Sequence, residues 1–332
     1  MADLRFDPLT GIWVAVSRRR LDRPMELVPV REIQQPILCP FCRGNEEETP
    51  TAVLALDEQG RSIELGSDPP GWTVRIVPNK YPALNESKSE AAATPWENDS
   101  RDGIQEIVVP TPRHLTSLSE LNDDEMGLAL VACRERIAQL QTRPDLKHLM
   151  LFMNVGSAAG ATLSHVHLQL IATPLVSPSL ERRIQSDRDA LRATGLPRVQ
   201  QIRNAERTDG RRMIERTDQF DLFCPYASRF AFQTWLVPER ATARFDQTTD
   251  EQLAELAPLI RRAVQRLERV LDHPAYNVLL HQMPVDVDEG CWYLELFPRF
   301  TVPAGFELGT DIWINPVPPE MAARRLQTAM AP

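Results

Sequence analysis

The chain has 332 residues, a formal net charge of −9, and 28 prolines against 14 glycines. With 42% hydrophobic and 25% charged residues, it has the balance of a globular protein long enough for two domains or one duplicated domain. The acidic balance argues against broad binding to nucleic acid or anionic membrane, and no apolar stretch reaches the length of a membrane span.

Five cysteines, two of them in a Cys-x-x-Cys, fit a reducing compartment and a metal site better than a disulfide framework. The N-terminus lacks a signal-peptide pattern, so a cytoplasmic location is expected. In chain order, residues 7–11 (Asp-Pro-Leu-Thr-Gly) read as a turn and 13–16 as a short strand. Arg18, Arg19, Arg20 and Arg23 form a cationic cluster that fits either a solvated loop or a phosphate clamp. Cys39-Pro40-Phe41-Cys42 has the spacing of half a zinc knuckle, and taken alone fits a redox pair as well. Residues 73–78 form a strand that stops at proline, and 86–103 read as a mobile loop rich in Glu, Ser, Ala and Asn. A strand at 105–110 precedes a helix at 121–141, whose apolar stripe includes Met126, Leu130 and Ile137. Strands at 149–154 and 165–172 follow, then a charged stretch, 178–218, with a helical connector at 180–194.

The second half repeats this order. Residues 234–240 echo 107–113, a helix at 250–271 follows, and strands at 276–281 and 291–296 complete the copy. We read an ancient duplication: a first domain at 1–175, a connector at 176–218 and a degenerate repeat at 219–332. His114, His165 and His167 of the first copy correspond to Ala241, Cys291 and Tyr293 of the second.

The most informative stretch is Ser164-His165-Val166-His167-Leu168-Gln169-Leu170. On a strand, His165, His167 and Gln169 share one face. Satisfied core histidines are the bland alternative; a metal or catalytic site is the sharper one. Cys39, Cys42, His114 and His165 would make a closed Cys2His2 site, structural because no position is left for substrate. His167 would then be free as a nucleophile toward phosphorus, with the Gln169 amide donating to a phosphoryl oxygen. The preceding stretch from Asn154 to Thr162, rich in Gly and Ala, lets backbone N–H groups approach a diphosphate.

Together these motifs resemble the galactose-1-phosphate uridylyltransferase family of the histidine triad superfamily. The resemblance includes Asp7-Pro8-Leu9-Thr10-Gly11, Arg20-x-x-Arg23-Pro24, Cys39-x-x-Cys42, Asn79-Lys80-Tyr81-Pro82-Ala83, Pro112-Arg113-His114, His165-x-His167-x-Gln169, Ala304-Gly305-Phe306-Glu307 and Asn315-Pro316-Val317-Pro318. It implies an α+β fold, with two half-barrels of antiparallel strands and helices packed outside. It implies ping-pong transfer in which His167 takes a uridylyl group from UDP-glucose, glucose 1-phosphate leaves, and galactose 1-phosphate accepts the group. Arg20 and Arg23 match arginines that approach the sugar phosphate. Asn154, Gly160 and Thr162 match the diphosphate loop, and Glu307 matches a glutamate that reaches sugar hydroxyls. A homodimer with sites near the subunit interface is implied, with one structural zinc per chain. Cys291-Trp292-Tyr293 stands where the family often has a second His-x-His, which argues against a second metal although His281 remains. Asn79 to Ala83 and Ala304 to Glu307 also resemble a branch that includes ADP-glucose phosphorylases, in which the histidine carries AMP and phosphate is the acceptor. The choice of base and acceptor stays open, and a non-catalytic zinc-stabilised nucleotide-binding module is the alternative from another class.

Overall fold

The apolar runs form the strands of one antiparallel sheet. The computed structural model of the chain describes residues 3–17, 38–65, 71–84, 103–299 and 301–330. It opens with a hairpin, β1 (Asp3–Phe6) and β2 (Trp13–Val16). The first repeat comprises β3 (Leu54–Leu56), β4 (Val74–Pro78), β5 (Ile104–Val109), α1 (Asp123–Gln141), β6 (His148–Val155) and β7 (Leu168–Thr173). Two helices follow, α2 (Pro178–Thr194) and α3 (Arg198–Asp209). The second repeat comprises β8 (Met213–Arg216), β9 (Phe220–Phe223), β10 (Thr234–Pro238), α4 (Asp250–Leu271), β11 (Tyr276–His281) and β12 (Tyr293–Pro298). The chain closes with α5 (Gly305–Thr310), β13 (Trp313–Asn315), which joins β2 in parallel, and α6 (Pro319–Thr328).

The ten-stranded sheet runs β3-β4-β5-β7-β6-β11-β12-β10-β9-β8. Read from either end, this is the same series of counterparts, so the two antiparallel half-sheets are one surface joined where β6 pairs with β11. Aligning Asp123 with Asp250, the first residues of α1 and α4, puts Leu151 on Val278 and Met153 on Leu280. The observed pairs are Leu151 with Leu280 and Met153 with Val278, so a local dyad passes through the pair Phe152–Leu279.

Side chains alternate across each strand. One face presents Leu151, Leu170, Val278, Leu280 and Leu294 to α1 and α4, which make one core with it. Each of these helices starts at a capping box, Asn122 with Glu125 and Thr249 with Gln252, which satisfies N-terminal N–H groups. The other face carries Gln105, Gln169, Asn154, Asn277, His281 and Glu295.

Three expectations need correction. The strand expected from His165 begins at Leu168, and the one expected from Cys291 begins at Tyr293. The reason is the same in both repeats: the backbone just before the strand leaves the ladder for a neighbouring loop. Val166 donates its N–H to the Leu115 carbonyl (2.7 Å), and Trp292 donates to Thr242 (2.9 Å). The histidines therefore lie in the lead-in to β7. The stretch 178–218 holds a second helix, α3, and strand β8 besides the connector helix. The buried side of α3 includes Gln200, Arg203 and Glu206, so an apolar periodicity does not reveal it. The expected mobile loop at 86–103 lies outside the described residues except for Gly103. Among the described residues no helix is long and apolar enough to cross a membrane.

Candidate active site and metal centre

The knuckle that carries Cys39 and Cys42 is braced by buried polar contacts. Arg75, 1% exposed and lying over the Trp72 ring, donates to the Pro40 carbonyl (2.8 Å) and to Thr49 (2.8 Å). Asn45 donates to the Cys39 carbonyl (2.8 Å), and Arg43 N–H reaches the Pro112 carbonyl (3.3 Å). This ties the knuckle to the loop that follows β5 and carries His114.

Cys39, Cys42, His114 and His165 converge there. Their donor atoms all lie within 4.8 Å of one another. Cys39 Sγ is 3.5 Å from His165 Nδ1, and Cys42 Sγ is 3.4 Å from His114 Nδ1 and 3.6 Å from His165 Nδ1. A tetrahedral ion with bonds of about 2.3 Å to sulfur and 2.0 Å to nitrogen sets sulfur and nitrogen about 3.5 Å apart. The donors thus fit an ion in spacing and in chemistry. The outer ring nitrogens are held as well: His165 Nε2 donates to the Thr111 carbonyl (3.1 Å), and His114 Nε2 bonds Ser164 Oγ (3.1 Å). Burial pushes His165 down to about 4, which keeps its imidazole neutral. Burial, then the neighbouring Cys39 thiol, pushes Cys42 up to about 11, so a thiolate pair here requires a cation.

His167 lies two residues beyond. The residue is 7% exposed, and Nδ1 donates to the His165 carbonyl (2.8 Å). That bond fixes the tautomer, leaving the Nε2 lone pair without a partner among the described residues. Burial also lowers its pKa, so the ring is neutral. Phe41, between the two knuckle cysteines, packs its ring 5.2 Å from His167 and 5.9 Å from His165. The four-donor cluster and His167 therefore share one aromatic wall.

Gln169 is oriented by a relay. The Ala83 N–H donates to Gln105 Oε1 (2.8 Å), and Gln105 Nε2 donates to Gln169 Oε1 (3.1 Å). The backbone N–H is only a donor, so it sets which way both amides point and leaves Gln169 Nε2 without a partner among the described residues. Asn79 lies at the end of β4, where its N–H bonds the Gln105 carbonyl and its Oδ1 accepts from Tyr81 N–H, both at 2.9 Å. Asn79, Pro82 and Gln105 help to line a cavity of about 500 Å³ between the described residues.

The small-residue loop closes after β6. Gly156 has φ +80° and Gly160 φ +92°, the left-handed region that favours glycine. A Cβ at Gly160 would meet Asn154 Nδ2 at 3.7 Å, an ordinary contact, so it is the backbone angle that calls for glycine there. The N–H groups of Ala159, Gly160 and Ala161 turn inward onto Ser157 and Gly156. The Asn154 amide is thus the clearest donor on this rim, with exposed Thr162 beyond it.

Glu307 sits on α5, where its Oε2 accepts from Ala304 N–H (3.0 Å). That helix packs on β13. Arg20 and Arg23 lie outside the described residues. In the second repeat, Tyr293 stacks on His281 (4.6 Å), Arg183 lies 4.8 Å over the Tyr293 ring, and His281 bonds Glu295 (2.6 Å). Leu9, from the Asp7–Gly11 turn, is fully buried in the cluster that contains Tyr293 and Cys291. Sequence reading gave no role to Phe41, Gln105, Asn277 or Leu9, whose partners are distant in sequence.

Residues 73–177 match the model of the galactose-1-phosphate uridyl transferase N-terminal domain. An ADP-glucose phosphorylase of Arabidopsis thaliana is 29% identical, over 97% of this chain and 91% of its own length. A galactose-1-phosphate uridylyltransferase of Thermotoga maritima is 25% identical, over 98% of each chain. The crystal structure of an Arabidopsis thaliana ADP-glucose phosphorylase with bound ADP-glucose superposes with a TM-score of 0.83 and 27% identity, covering 98% of this chain and 99% of that one. The chain resembles the galactose-1-phosphate uridylyltransferase family along its whole length and has the fold of these enzymes.

Proposed function

We propose that this chain is a nucleotidyltransferase that works by ping-pong through a nucleotidyl-His167, as a hexose-1-phosphate uridylyltransferase. The observation that carries the reading is the Nδ1 bond of His167 to the His165 carbonyl, which leaves Nε2 as the one nucleophilic nitrogen of a neutral ring. The Nε2 lone pair attacks the α-phosphorus of UDP-glucose, the bond to the bridging oxygen breaks, and glucose 1-phosphate leaves with that electron pair. A phosphate oxygen of the acceptor, galactose 1-phosphate, then attacks the phosphorus and the P–N bond breaks, restoring the imidazole. Gln169 Nε2 and the Asn154 amide donate to phosphoryl oxygens as charge grows there. Arg20 and Arg23 contact the sugar phosphate, Gly160 and Thr162 flank the diphosphate, and Asn79 borders the base. Cys39, Cys42, His114 and His165 would hold one structural zinc, which supplies no reaction step and fixes the lead-in that carries His167. The resemblance supports a homodimer, and the cysteine usage supports a cytoplasmic location. Glu307, as the resemblance implies, would reach sugar hydroxyls.

A second reading, ADP-glucose phosphorylase, is favoured by the higher identity to the Arabidopsis thaliana enzyme, 29% against 25%. His167 would then carry AMP, and inorganic phosphate would be the acceptor. The intact mass of the protein after incubation with UDP-glucose, or separately with ADP-glucose, tests both. A gain of one UMP that is absent in His167→Ala supports the first reading, and a gain of one AMP the second. No adduct from either, in samples quenched before an acceptor is added, overturns transfer through His167 and favours a binding module.

A further inference from the structure

The second repeat has lost its own histidine pair, yet it makes intimate contact with the first repeat's loop. At Gly156 a Cβ would lie 2.8 Å from that of Ala275, just before β11. One turn of strand further, Asn277 crosses the seam between the repeats. Its Nδ2 donates to Asn154 Oδ1 (2.7 Å) and to the Ala159 carbonyl (3.0 Å). Asn277 is 8% exposed; its bond to Ala159 is buried and its bond to Asn154 partly so.

The order of these bonds has only one consistent polarity. The Ala159 carbonyl can only accept, which forces Asn277 to turn its NH2 group toward it. The same NH2 then faces Asn154, which must answer with its oxygen. Asn154 is left with its own NH2 on the Gly160 side of the loop, 3.7 Å from where a Cβ at Gly160 would lie. Among the described residues, the bond from Asn277 is the one that distinguishes the two ends of the Asn154 amide. The dyad sharpens the point. Under it, Asn154 corresponds to His281 and Asn277 to Met150, so the bracing amide stands only on the side that has the loop.

We infer that Asn277 is a positioning residue: it holds Asn154 with its NH2 turned toward a bound diphosphate, so the degenerate repeat completes the anion site of the first. This rests on the nucleotidyl-transfer reading for its substrate, although the orientation of Asn154 applies to any phosphate bound there. The test is a double-mutant cycle of Asn277→Leu with Asn154→Ala, read as the rate of nucleotidylation and as affinity for inorganic pyrophosphate. Loss of an oriented donor predicts a fall of about 10- to 100-fold in rate for Asn277→Leu alone, and little further change when Asn154 is already alanine. Asn277→Asp, which keeps the shape but cannot donate to Ala159, should lose rate likewise and serves if the leucine variant does not fold. Equal losses in both Asn154 backgrounds, or no loss in either Asn277 variant, would overturn the inference. If the parent protein forms no adduct with UDP-glucose or ADP-glucose, the transfer reading fails by itself, and the pyrophosphate cycle still decides the role of Asn277.

Discussion

At the scale of the residue, the site depends on which nitrogen of each polar side chain is free. His167→Ala should abolish the nucleotidyl adduct, while circular dichroism and the melting temperature stay close to those of the parent; an adduct of equal yield would remove the nucleophile assignment. Gln105→Leu should slow transfer by about tenfold without removing the adduct, because Gln169 loses the bond that orients it; an unchanged rate would show that Gln169 needs no guide. His148 offers a pH test. Burial first, then the charges of Arg183 and His281, holds it down at about 4, against about 6.5 in an unfolded chain. Between those values the unfolded state takes up a proton that the folded state refuses. Its contribution is therefore complete above pH 6.5 and is lost as pH falls toward 4. Replacing His148 by glutamine should flatten the fall in melting temperature across that window; the same slope in both proteins would exclude it as a source. The sequence made His165, His167 and Gln169 legible because they are close together in one extended segment. It could not show Phe41 against His167 or Asn277 on Asn154, because those contacts come from chain closure over long distances.

At the scale of the element, two short segments position the chemistry, the cysteine knuckle and the glycine loop. Cys42→Ser should lower bound zinc and the melting temperature together, since ligand binding and local order are one equilibrium. Native protein with no zinc by mass spectrometry, and a melting curve indifferent to chelator, would disprove the four-ligand centre. Gly156→Ala tests the loop. At φ +80° and ψ 153° an alanine occupies a region nearly reserved for glycine, and its Cβ meets Ala275. A cost of about 1–3 kcal/mol in denaturant unfolding is expected. Strands and long helices were legible from apolar period and caps, as α4 shows, beginning and ending where its pattern does. The starts of β7 and β12 were not, because a hydrogen bond to a distant loop ends each ladder early.

At the scale of the molecule, the duplication was legible from repeated motifs, but the way the copies meet was not, since no local pattern says which edges pair. The β6–β11 seam makes the halves one sheet, so each half alone would expose a long edge strand. Expressed separately, residues 1–175 and 219–332 should be insoluble or self-associate, and coexpression should recover a soluble complex. Two monomeric, well-folded halves would contradict a shared core. The dyad at Phe152–Leu279 also bears on descent. A single-repeat ancestor could have built the same sheet by pairing its edge strand with that of an identical copy. In such an assembly every substitution appears twice, and an asparagine opposite one loop would also stand opposite the other. Covalent fusion removed that constraint: one copy became free to lose its histidines and to specialise as a template for its neighbour, without passing the change to both sites.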